Sequence, residues 1–422
     1  MTDMTDMTDT SQAETTTAGT NDPFDGWQLG PLRLRNRFIK AAANEGMTLD
    51  GAPTQAMVQH HRDLARGGIG MSTVAYGAVS ELGRSLPNQL WLRPEIAADL
   101  RALTDAVHQH GGRISCQITH GGLYVPAMKV DGALMSASAG FNIVGLLVRN
   151  WRSRAMTEAD MARVRDEFVA AAQLCRDAGF DAVELHMGHG YLLNQFLSPL
   201  NNQRRDAYGG SAENRARFPV SVLAAVKRAV GQHIAVLAKI NVADGVPRGA
   251  TVDDAIVTAR LLEEAGADLL VLSGGRNFES GHFMFGSNMD VAEMRKVLGR
   301  KAALSFSVAQ FGKPRVVFKE MYFLEHSRRI RAAVRVPLGY LGGVRSLAAA
   351  RSAVAEGFEA VVMARPLIHD TGLIGQWQSG ASSVSGCTSC NRCVPYIYHP
   401  AGTWCVMNPP NDAALNRVRA AG

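Results

Sequence analysis

From Pro23 onward the sequence alternates short apolar runs with longer amphipathic stretches, and this alternation restricts the fold more than any other feature. Several of the runs consist almost only of Val, Ile, Leu and Ala, as expected for parallel strands buried on both faces. Eight βα units in succession predict an α/β protein with a TIM (β/α)8 barrel rather than an open doubly wound sheet. The eight candidate strands are Phe38–Ala42, Met71–Tyr76, Arg113–Ile118, Ala182–His186, Ile234–Ile240, Leu269–Ser273, Val336–Leu341 and Ala360–Ala364.

Four of the intervening segments carry a clear helical pattern of apolar residues. These helices are predicted at Glu158–Ala178, Glu213–Val230, Asp253–Ala265 and Ser346–Glu356. A glycine follows each helix, as is typical of helices that end in a left-handed residue, and these glycines are Gly179, Gly231, Gly266 and Gly357. No G-x-G-x-x-G motif follows the first strand, so the sequence disfavours a dinucleotide-binding fold.

Two connections are longer than ordinary loops, and both follow a predicted strand. They are Thr119–Met156 after the third strand and Gly274–Lys319 after the sixth. Connections of this length usually carry local structure and function, so we expect them to form an active-site rim. A barrel of this kind holds its chemistry at the carboxyl ends of its strands, which is where the site is expected.

The ends of the chain differ in composition from the barrel region. Residues 1–22 repeat Met-Thr-Asp and continue in Thr, Ala and Ser, which predicts a disordered tail rather than a signal peptide. Residues 23–380 are assigned to the barrel, and residues 381–422 to a short cysteine-rich C-terminal extension. No apolar run reaches the roughly 18 residues of a membrane span, and a net charge of +6 does not require a nucleic-acid groove. We expect a cytoplasmic protein without a membrane or nucleic-acid partner.

Two imidazoles and a phenol stand close together where the fourth strand ends. His186 is the last residue of that strand, and His189 and Tyr191 follow within one turn. At a barrel mouth these groups can hold a polarised oxygen and supply a proton. The H-x-x-H spacing alone is equally compatible with a metal pair or with two satisfied polar residues. A zinc protease places its histidines at i and i+4 around a glutamate, and Met187 and Gly188 do not provide that pattern.

The stretch that contains these residues resembles a known family. Residues 186–218 read HMGHGYLLNQFLSPLNNQRRDAYGGSAENRARF, and matching segments include PLRLRNRFIKAAANEG at the first strand, CQITHGG at the third and VVMARPLIHD at the eighth. The pattern resembles that of the old yellow enzymes, FMN-dependent NADH:flavin oxidoreductases whose larger relatives include 2,4-dienoyl-CoA reductase. The resemblance extends from about Leu29 to Asp370. It implies an enzyme that binds FMN, takes hydride from NAD(P)H and acts on a small molecule such as an activated alkene. It leaves open whether the chain forms a homo-oligomer.

The resemblance also implies roles for individual residues. His186 and His189 match the pair that hydrogen-bonds the carbonyl or nitro oxygen of the substrate, and Tyr191 matches the tyrosine that protonates its α-carbon. The residues that match FMN-binding positions are Ala42, Ala43, Asn44, Ala75, Gln117, Lys239, Gly342, Gly343, Ala364 and Arg365.

The sequence departs from the family pattern at four positions. Asn44 stands where relatives have the Thr or Cys that tunes the flavin, and Lys239 stands where most have Arg. Leu123 replaces an arginine of the rim, and Ala364 replaces a glycine of the phosphate turn. These departures bear on the rim contacts and on the substrate class.

Four cysteines occupy the C-terminal extension at Cys387, Cys390, Cys393 and Cys405. Three closely spaced thiolates with a remote fourth suit a [4Fe–4S] cluster, and a four-cysteine zinc site is chemically compatible with the same set. Trimethylamine dehydrogenase and 2,4-dienoyl-CoA reductase carry a similar run with a middle spacing one residue longer. The chain stops at Gly422, so the nucleotide-binding domains of those larger relatives are not expected. A cluster, a zinc ion and reduced thiols without a metal all remain open.

Three functions follow as hypotheses. The leading one is an FMN-dependent oxidoreductase that takes hydride from NAD(P)H and reduces an activated C=C bond. The alternative is a flavin and iron–sulfur dehydrogenase of an amine or a similar donor, which passes electrons to a separate partner. A flavin-binding or metal-binding barrel without turnover is disfavoured, because His186, His189 and Tyr191 are all present.

Overall fold

A computed structural model describes residues 21–125, 133–141, 150–310 and 313–409, without the side chains of residues 301–310. Eight parallel strands form a closed barrel in which each strand pairs with the next along the chain, and the last pairs with the first through Val361 and Phe38. The predicted TIM barrel is confirmed. The barrel strands, β1 to β8 in chain order, are Phe38–Lys40, Met71–Ala78, Arg113–Thr119, Ala182–Met187, Ala235–Asn241, Leu269–Ser273, Leu338–Tyr340 and Ala360–Met363. Every predicted strand end lies within two residues of the observed one.

Helices surround the barrel and alternate with its strands. In chain order, α1 to α12 are Gln55–Arg66, Ala97–His108, Glu158–Asp177, Leu192–Leu197, Ala212–Val230, Val252–Glu264, Gly281–Phe285, Val291–Gln310, Leu324–Arg331, Leu347–Ala355, Arg365–His369 and Leu373–Ser379. The helix α3 begins with a capping box in which Thr157 and Asp160 satisfy each other's backbone N–H groups. Ser346 caps α10 by accepting a hydrogen bond from the backbone N–H of Ala349.

The glycines after the helices behave alike with one exception. Gly179, Gly266 and Gly357 have φ angles of 89°, 87° and 86°, so they end their helices in the left-handed conformation, as predicted. The prediction is wrong for Gly231, whose φ of −68° is right-handed. Its N–H donates to the carbonyl of Lys227, so the last helical turn simply continues through this residue.

Both long connections carry local structure. Within Thr119–Met156, the strand Arg152–Ala155 pairs with Leu134–Ser136 and with Gly140–Phe141 to form a small three-stranded sheet. The second connection, Gly274–Lys319, contains the helices α7 and α8. Both connections follow barrel strands, so they begin at the end of the barrel where the strands terminate.

The described part of the C-terminal extension, residues 381–409, lies against the loops at the carboxyl ends of the strands. The backbone N–H of Thr403 donates to the carbonyl of Glu45 over 2.7 Å, and its hydroxyl donates to the carbonyl of Asn44 over 3.0 Å. The amide of Asn88 donates to the carbonyl of Ile397 over 2.8 Å. Across the described ranges, no helix combines the length and the apolar character that crossing a membrane requires.

Candidate active site

A large pocket opens at the carboxyl ends of the barrel strands and encloses about 1220 Å³, its open mouth included. The three expected catalytic side chains and most of the expected flavin-binding residues line it. These residues are His186, His189, Tyr191, Ala42, Ala43, Asn44, Gln117, Lys239, Gly343, Ala364 and Arg365. Ala75 lies beside the pocket, 2% exposed and packed in one cluster with Tyr191. The carbonyl of Gly342 accepts a hydrogen bond from the backbone N–H of Tyr322, which also lines the pocket.

In the pocket, the ring of His186 contacts the rings of both His189 and Tyr191. The ring centroids of His186 and Tyr191 lie 4.6 Å apart, and those of His186 and His189 lie 5.0 Å apart. The backbone N–H of Gly188 donates to Nδ1 of His186 over 3.4 Å, which places the proton of this imidazole on Nε2. Nε2 of His189 lies 2.8 Å from the hydroxyl of Ser273 on β6.

Burial keeps these groups in defined protonation states. Together with the smaller effect of the Lys239 charge, it lowers the pKa of His189 to about 3. Burial likewise holds the pKa of His186 well below its usual range. It raises the pKa of Tyr191 well above 10, with a smaller contribution from the neighbouring Tyr76. At neutral pH the site therefore presents two neutral imidazoles and a protonated phenol.

A second tyrosine, which the sequence did not single out, belongs to the same site. Tyr76 on β2 lines the pocket, and its hydroxyl lies 2.5 Å from the hydroxyl of Tyr191. Its ring also contacts that of Tyr191 at 5.3 Å between centroids. The ring of Tyr124 also contacts that of Tyr191, at 5.4 Å between centroids, and Tyr398 of the extension lines the same pocket. In the sequence, the one signal for Tyr76 as a residue of this site is its position next to Ala75 at the end of a predicted strand.

A buried ion pair lies beside these groups, because its lysine, Lys239, is the cross-strand neighbour of His186. Lys239 on β5 is fully buried, and its Nζ lies 3.1 Å from Oε1 of Glu184 and 3.2 Å from the carbonyl of Ala42. The side-chain amide of Gln117 on β3 donates to the same Glu184 oxygen over 2.6 Å. Burial lowers the pKa of Lys239, whereas the carboxylate of Glu184 raises it. Glu184 therefore holds the cation of Lys239 and the side-chain amide of Gln117 next to each other.

Asn44, Lys239 and Gln117 fit the edge of a flavin ring system. Nδ2 of Asn44 is buried without a hydrogen-bond partner among the described residues, while Oδ1 of the same side chain accepts from the N–H of Gly46 over 3.0 Å. An unpartnered donor at a pocket wall is costly unless a ligand accepts its hydrogen bond. Together with Lys239 and Gln117, it matches the oxygen-rich and nitrogen-rich edge of an isoalloxazine ring.

The phosphate-binding turns predicted after β7 and β8 also meet at the pocket. Gly343 has a φ of 85°, and a Cβ atom there would lie 2.7 Å from the ring of Tyr322, so only glycine fits. Arg365 begins α11, and its Nη2 donates to the carbonyl of Phe285 over 2.9 Å. Its Nη1 donates to Oδ1 of Asn391 in the extension over 2.5 Å.

None of the four cysteines of the extension forms a disulfide bond. Cys387, Cys393 and Cys405 are buried and Cys390 is exposed, and Cys393 also lines the pocket. Burial raises the pKa of Cys393 to about 12, against a smaller opposing effect of Arg365. No group of three or more His, Cys, Asp or Glu side chains arranged to hold a metal ion occurs within the described ranges. A cluster is larger than a single ion and holds its thiolates farther apart.

The chain matches a known protein family. The family described as "NADH:flavin oxidoreductase / NADH oxidase family" matches residues 23–297. The chain belongs to this family. Family membership makes the protein an FMN-dependent NAD(P)H oxidoreductase, as the sequence resemblance implied.

Among individual members of the family, a "4,4'-dithiodibutanoate disulfide reductase" from Rhodococcus erythropolis is 38% identical over 398 residues. The match covers 93% of this chain and 96% of that protein. A "Metal reductase" from Desulforamulus reducens and an "NADH oxidase" from Thermoanaerobacter brockii are longer. The chain spans 53% of the first and 56% of the second.

Two solved structures show the shared fold. An old yellow enzyme homologue from Zymomonas mobilis is 21% identical, with a TM-score of 0.64 over 87% of this chain and 96% of that one. A histamine dehydrogenase from Rhizobium is 22% identical, with a TM-score of 0.71 over 88% of this chain and 52% of that one.

Proposed function

We propose that this member of the family reduces an activated C=C bond, such as that of an enone or a nitroalkene. The observation that carries the proposal is the convergence of two neutral imidazoles with one protonated phenol in a single pocket. His186 and His189 would hold the carbonyl or nitro oxygen, and Tyr191 would supply the proton.

The chemistry that bound FMN supplies is the transfer of hydride from NAD(P)H to the substrate. Addition of hydride at the β-carbon moves negative charge onto the activating oxygen. Preorganised donors such as Nε2–H of His186 stabilise that charge, and each is worth about 10²–10³-fold in rate. The hydroxyl of Tyr191 then gives its proton to the α-carbon, which completes the reduction.

The flavin itself would be held at three places. Lys239 and Gln117 would contact the pyrimidine edge of its ring system, where a cation favours the anionic reduced state. Asn44 would donate from Nδ2 to the nearby carbonyl oxygen. The backbone of Gly342, Gly343 and Ala364 and the guanidinium of Arg365 would hold the phosphate.

A small organic disulfide is a second candidate substrate, because the relative that matches 93% of the chain is a disulfide reductase. Cleavage of an S–S bond consumes the same hydride and one proton and yields two thiols. Tyr191 would then protonate the departing thiolate instead of a carbon. Both proposed reactions use the proton of Tyr191, so substrate tests must separate them.

Oxidation of an amine with electron transfer through the cysteines is the remaining alternative. It requires that Cys387, Cys390, Cys393 and Cys405 hold a [4Fe–4S] cluster, for which four thiolates are suitable ligands. Such an enzyme would need a separate electron acceptor.

One set of measurements separates these functions. Denatured protein should release one FMN, and iron and acid-labile sulfide should be assayed in the same sample. FMN reduced anaerobically by NAD(P)H should then be mixed with an enone, a nitroalkene or 4,4'-dithiodibutanoate, and oxidised enzyme with an amine. We expect re-oxidation to be fastest with the alkenes. Faster re-oxidation by the disulfide favours the second candidate, and bleaching of the oxidised flavin by an amine favours the third. Recovery of FAD or of no flavin overturns the assignment of FMN.

A further inference from the structure

Asn391 of the extension makes four hydrogen bonds through its side chain. Asn391 lies between Cys390 and Cys393 and is 1% exposed. Its Nδ2 donates to the carbonyl of Ser287 over 3.1 Å, to the hydroxyl of the same residue over 2.8 Å and to the carbonyl of Asn288 over 3.1 Å. Its Oδ1 accepts from Nη1 of Arg365 over 2.5 Å. One side chain therefore connects the cysteine loop, the segment after α7 and the arginine of the phosphate turn.

These contacts hold part of the guanidinium. Nη1 of Arg365 faces Asn391 and lies 3.5 Å from the carbonyl of Ser389, and Nη2 donates to the carbonyl of Phe285. A guanidinium has five N–H donors in a fixed plane. The guanidinium also interacts with the side chain of Tyr322. These contacts leave the Nε–H donor, and a phosphate or carboxylate can accept from it. Arg365 lines the pocket, so this donor can meet a ligand there.

We propose that Asn391 is a positioning residue for FMN: it orients Arg365 so that the remaining donor of the guanidinium meets the phosphate. The cysteine-rich extension is then part of the flavin site and not only an attached segment. This inference rests on the proposed placement of the FMN phosphate at Arg365.

The geometry explains why an asparagine serves here. Asn391 has a φ of 60°, a left-handed conformation that asparagine tolerates better than most residues. Its amide offers an acceptor to the arginine and donors to the carbonyls of Ser287 and Asn288 at once. A leucine would satisfy neither side, and an aspartate would face those two carbonyls with negative charge.

Coupling of this kind is reciprocal. If the conformation of the loop between Cys390 and Cys393 determines how Arg365 is held, then FMN binding must in turn stabilise that loop. The state of the cysteine loop and the affinity for FMN therefore depend on each other, without any electron passing between them.

The test uses the holoenzyme and measures FMN affinity rather than turnover. Asn391→Gly removes the side chain and keeps the left-handed backbone without strain. On dilution of the holoenzyme, the fluorescence of released FMN gives the dissociation constant. We expect an increase of about tenfold or more, the scale of one lost hydrogen bond to a charged group. Asn408→Gly is the matched control, because it removes an amide of the same extension that contacts the carbonyl of His369 instead.

Arg365→Ala and the double variant complete a thermodynamic cycle. If Asn391 acts through Arg365, Asn391→Gly should have little further effect on the FMN dissociation constant once Arg365 is alanine. An equal effect in both backgrounds would overturn the inference, as would an unchanged constant in Asn391→Gly. If Arg365→Ala alone leaves the constant unchanged, the proposed phosphate placement fails first, and the inference fails with it. If Arg365→Ala weakens binding and Asn391→Gly does not, only the inference fails.

Discussion

The hydroxyl oxygens of Tyr76 and Tyr191 lie 2.5 Å apart, although 115 residues separate them in the sequence. The contact joins the end of β2 to the loop after β4, and Tyr191 is only 3% exposed. Burial raises the pKa of Tyr191, so the phenolate that would form when it gives up its proton is costly in this site. The neighbouring Tyr76 adds to this rise, so the contact does not make Tyr191 a stronger acid. At hydrogen-bond distance, Tyr76 instead fixes the direction in which the O–H bond of Tyr191 points.

Replacement of Tyr76 by phenylalanine tests this relationship. The ring still packs, but the hydrogen bond that orients the hydroxyl of Tyr191 is lost, so re-oxidation of the reduced enzyme by an enone should slow by about 3–10-fold, the scale of one hydrogen bond between neutral groups. Stopped-flow absorbance of the flavin measures the rate. Reduction of the flavin by NAD(P)H, which needs no proton from Tyr191, is the internal control. An unchanged enone rate would show that Tyr76 only packs against its neighbour.

The site illustrates what the sequence could reveal and what it could not. His186, His189 and Tyr191 lie within six residues, so a local motif and a strand end were enough to place them together. The sequence does not single out Tyr76, because its partner is distant in sequence and only the closed barrel brings β2 beside the loop after β4.

The C-terminal extension was more difficult to interpret. Its cysteine spacing suggested a metal site, but spacing carries no information about where the segment docks. The structure places Cys393 at the pocket and joins Asn391 to Arg365, contacts that no periodicity or motif encodes. Barrel strands, in contrast, were predictable because burial on both faces leaves a continuous apolar run in the sequence.

The buried pair of Lys239 and Glu184 yields a prediction about stability. Lys239→Met leaves the carboxylate of Glu184 buried without its cation, and we expect the free energy of unfolding of the apoprotein to fall by about 3–5 kcal/mol. The double variant Lys239→Met/Glu184→Gln should recover much of the loss, because the introduced amide is neutral and its oxygen still accepts a hydrogen bond from Gln117. Denaturant unfolding measures both. Equal stability of the single and double variants would contradict an unpaired charge as the cause.

Three fully buried histidines predict how stability depends on pH. His61, His120 and His186 are at most 3% exposed, and burial lowers the pKa of each, for His120 to about 4. In the unfolded chain a histidine has a pKa near 6.5, so between that pH and the lower folded value the unfolded state binds more protons. Their contribution to stability is therefore complete above about pH 6.5 and is lost as the pH falls through this window.

As the pH falls from about 7 to about 5.5, each of these histidines should lower the free energy of unfolding by about 1 kcal/mol. Denaturant unfolding of the apoprotein at both pH values measures the total. The variant His120→Gln has one such group fewer, so its loss of stability over the same interval should be smaller by about 1 kcal/mol. A loss identical to that of the unchanged protein would mean that His120 is protonated in the folded state.

Tyr191 is the proposed proton donor, and its hydroxyl can be removed without removing its ring. Tyr191→Phe removes one hydroxyl while the ring still packs between Tyr76 and Tyr124, so FMN binding and flavin reduction by NAD(P)H should persist. Re-oxidation by a weakly activated enone should fall by about 10²–10⁴-fold, the usual effect of a lost general acid. A nitroalkene should lose much less, because its nitronate can leave the enzyme and take a proton from solvent.

Comparison of the two substrates separates a missing proton donor from a distorted pocket. Distortion would slow the hydride step with both substrates, whereas loss of the acid should spare the nitroalkene. Stopped-flow re-oxidation of reduced Tyr191→Phe by each substrate, with His186→Ala alongside, measures this difference. His186→Ala should slow both, because the imidazole acts on the activating oxygen that the two substrates share. An enone rate equal to that of the unchanged enzyme would remove Tyr191 from the mechanism and leave Tyr76, on the same hydrogen bond, as the next acid to test.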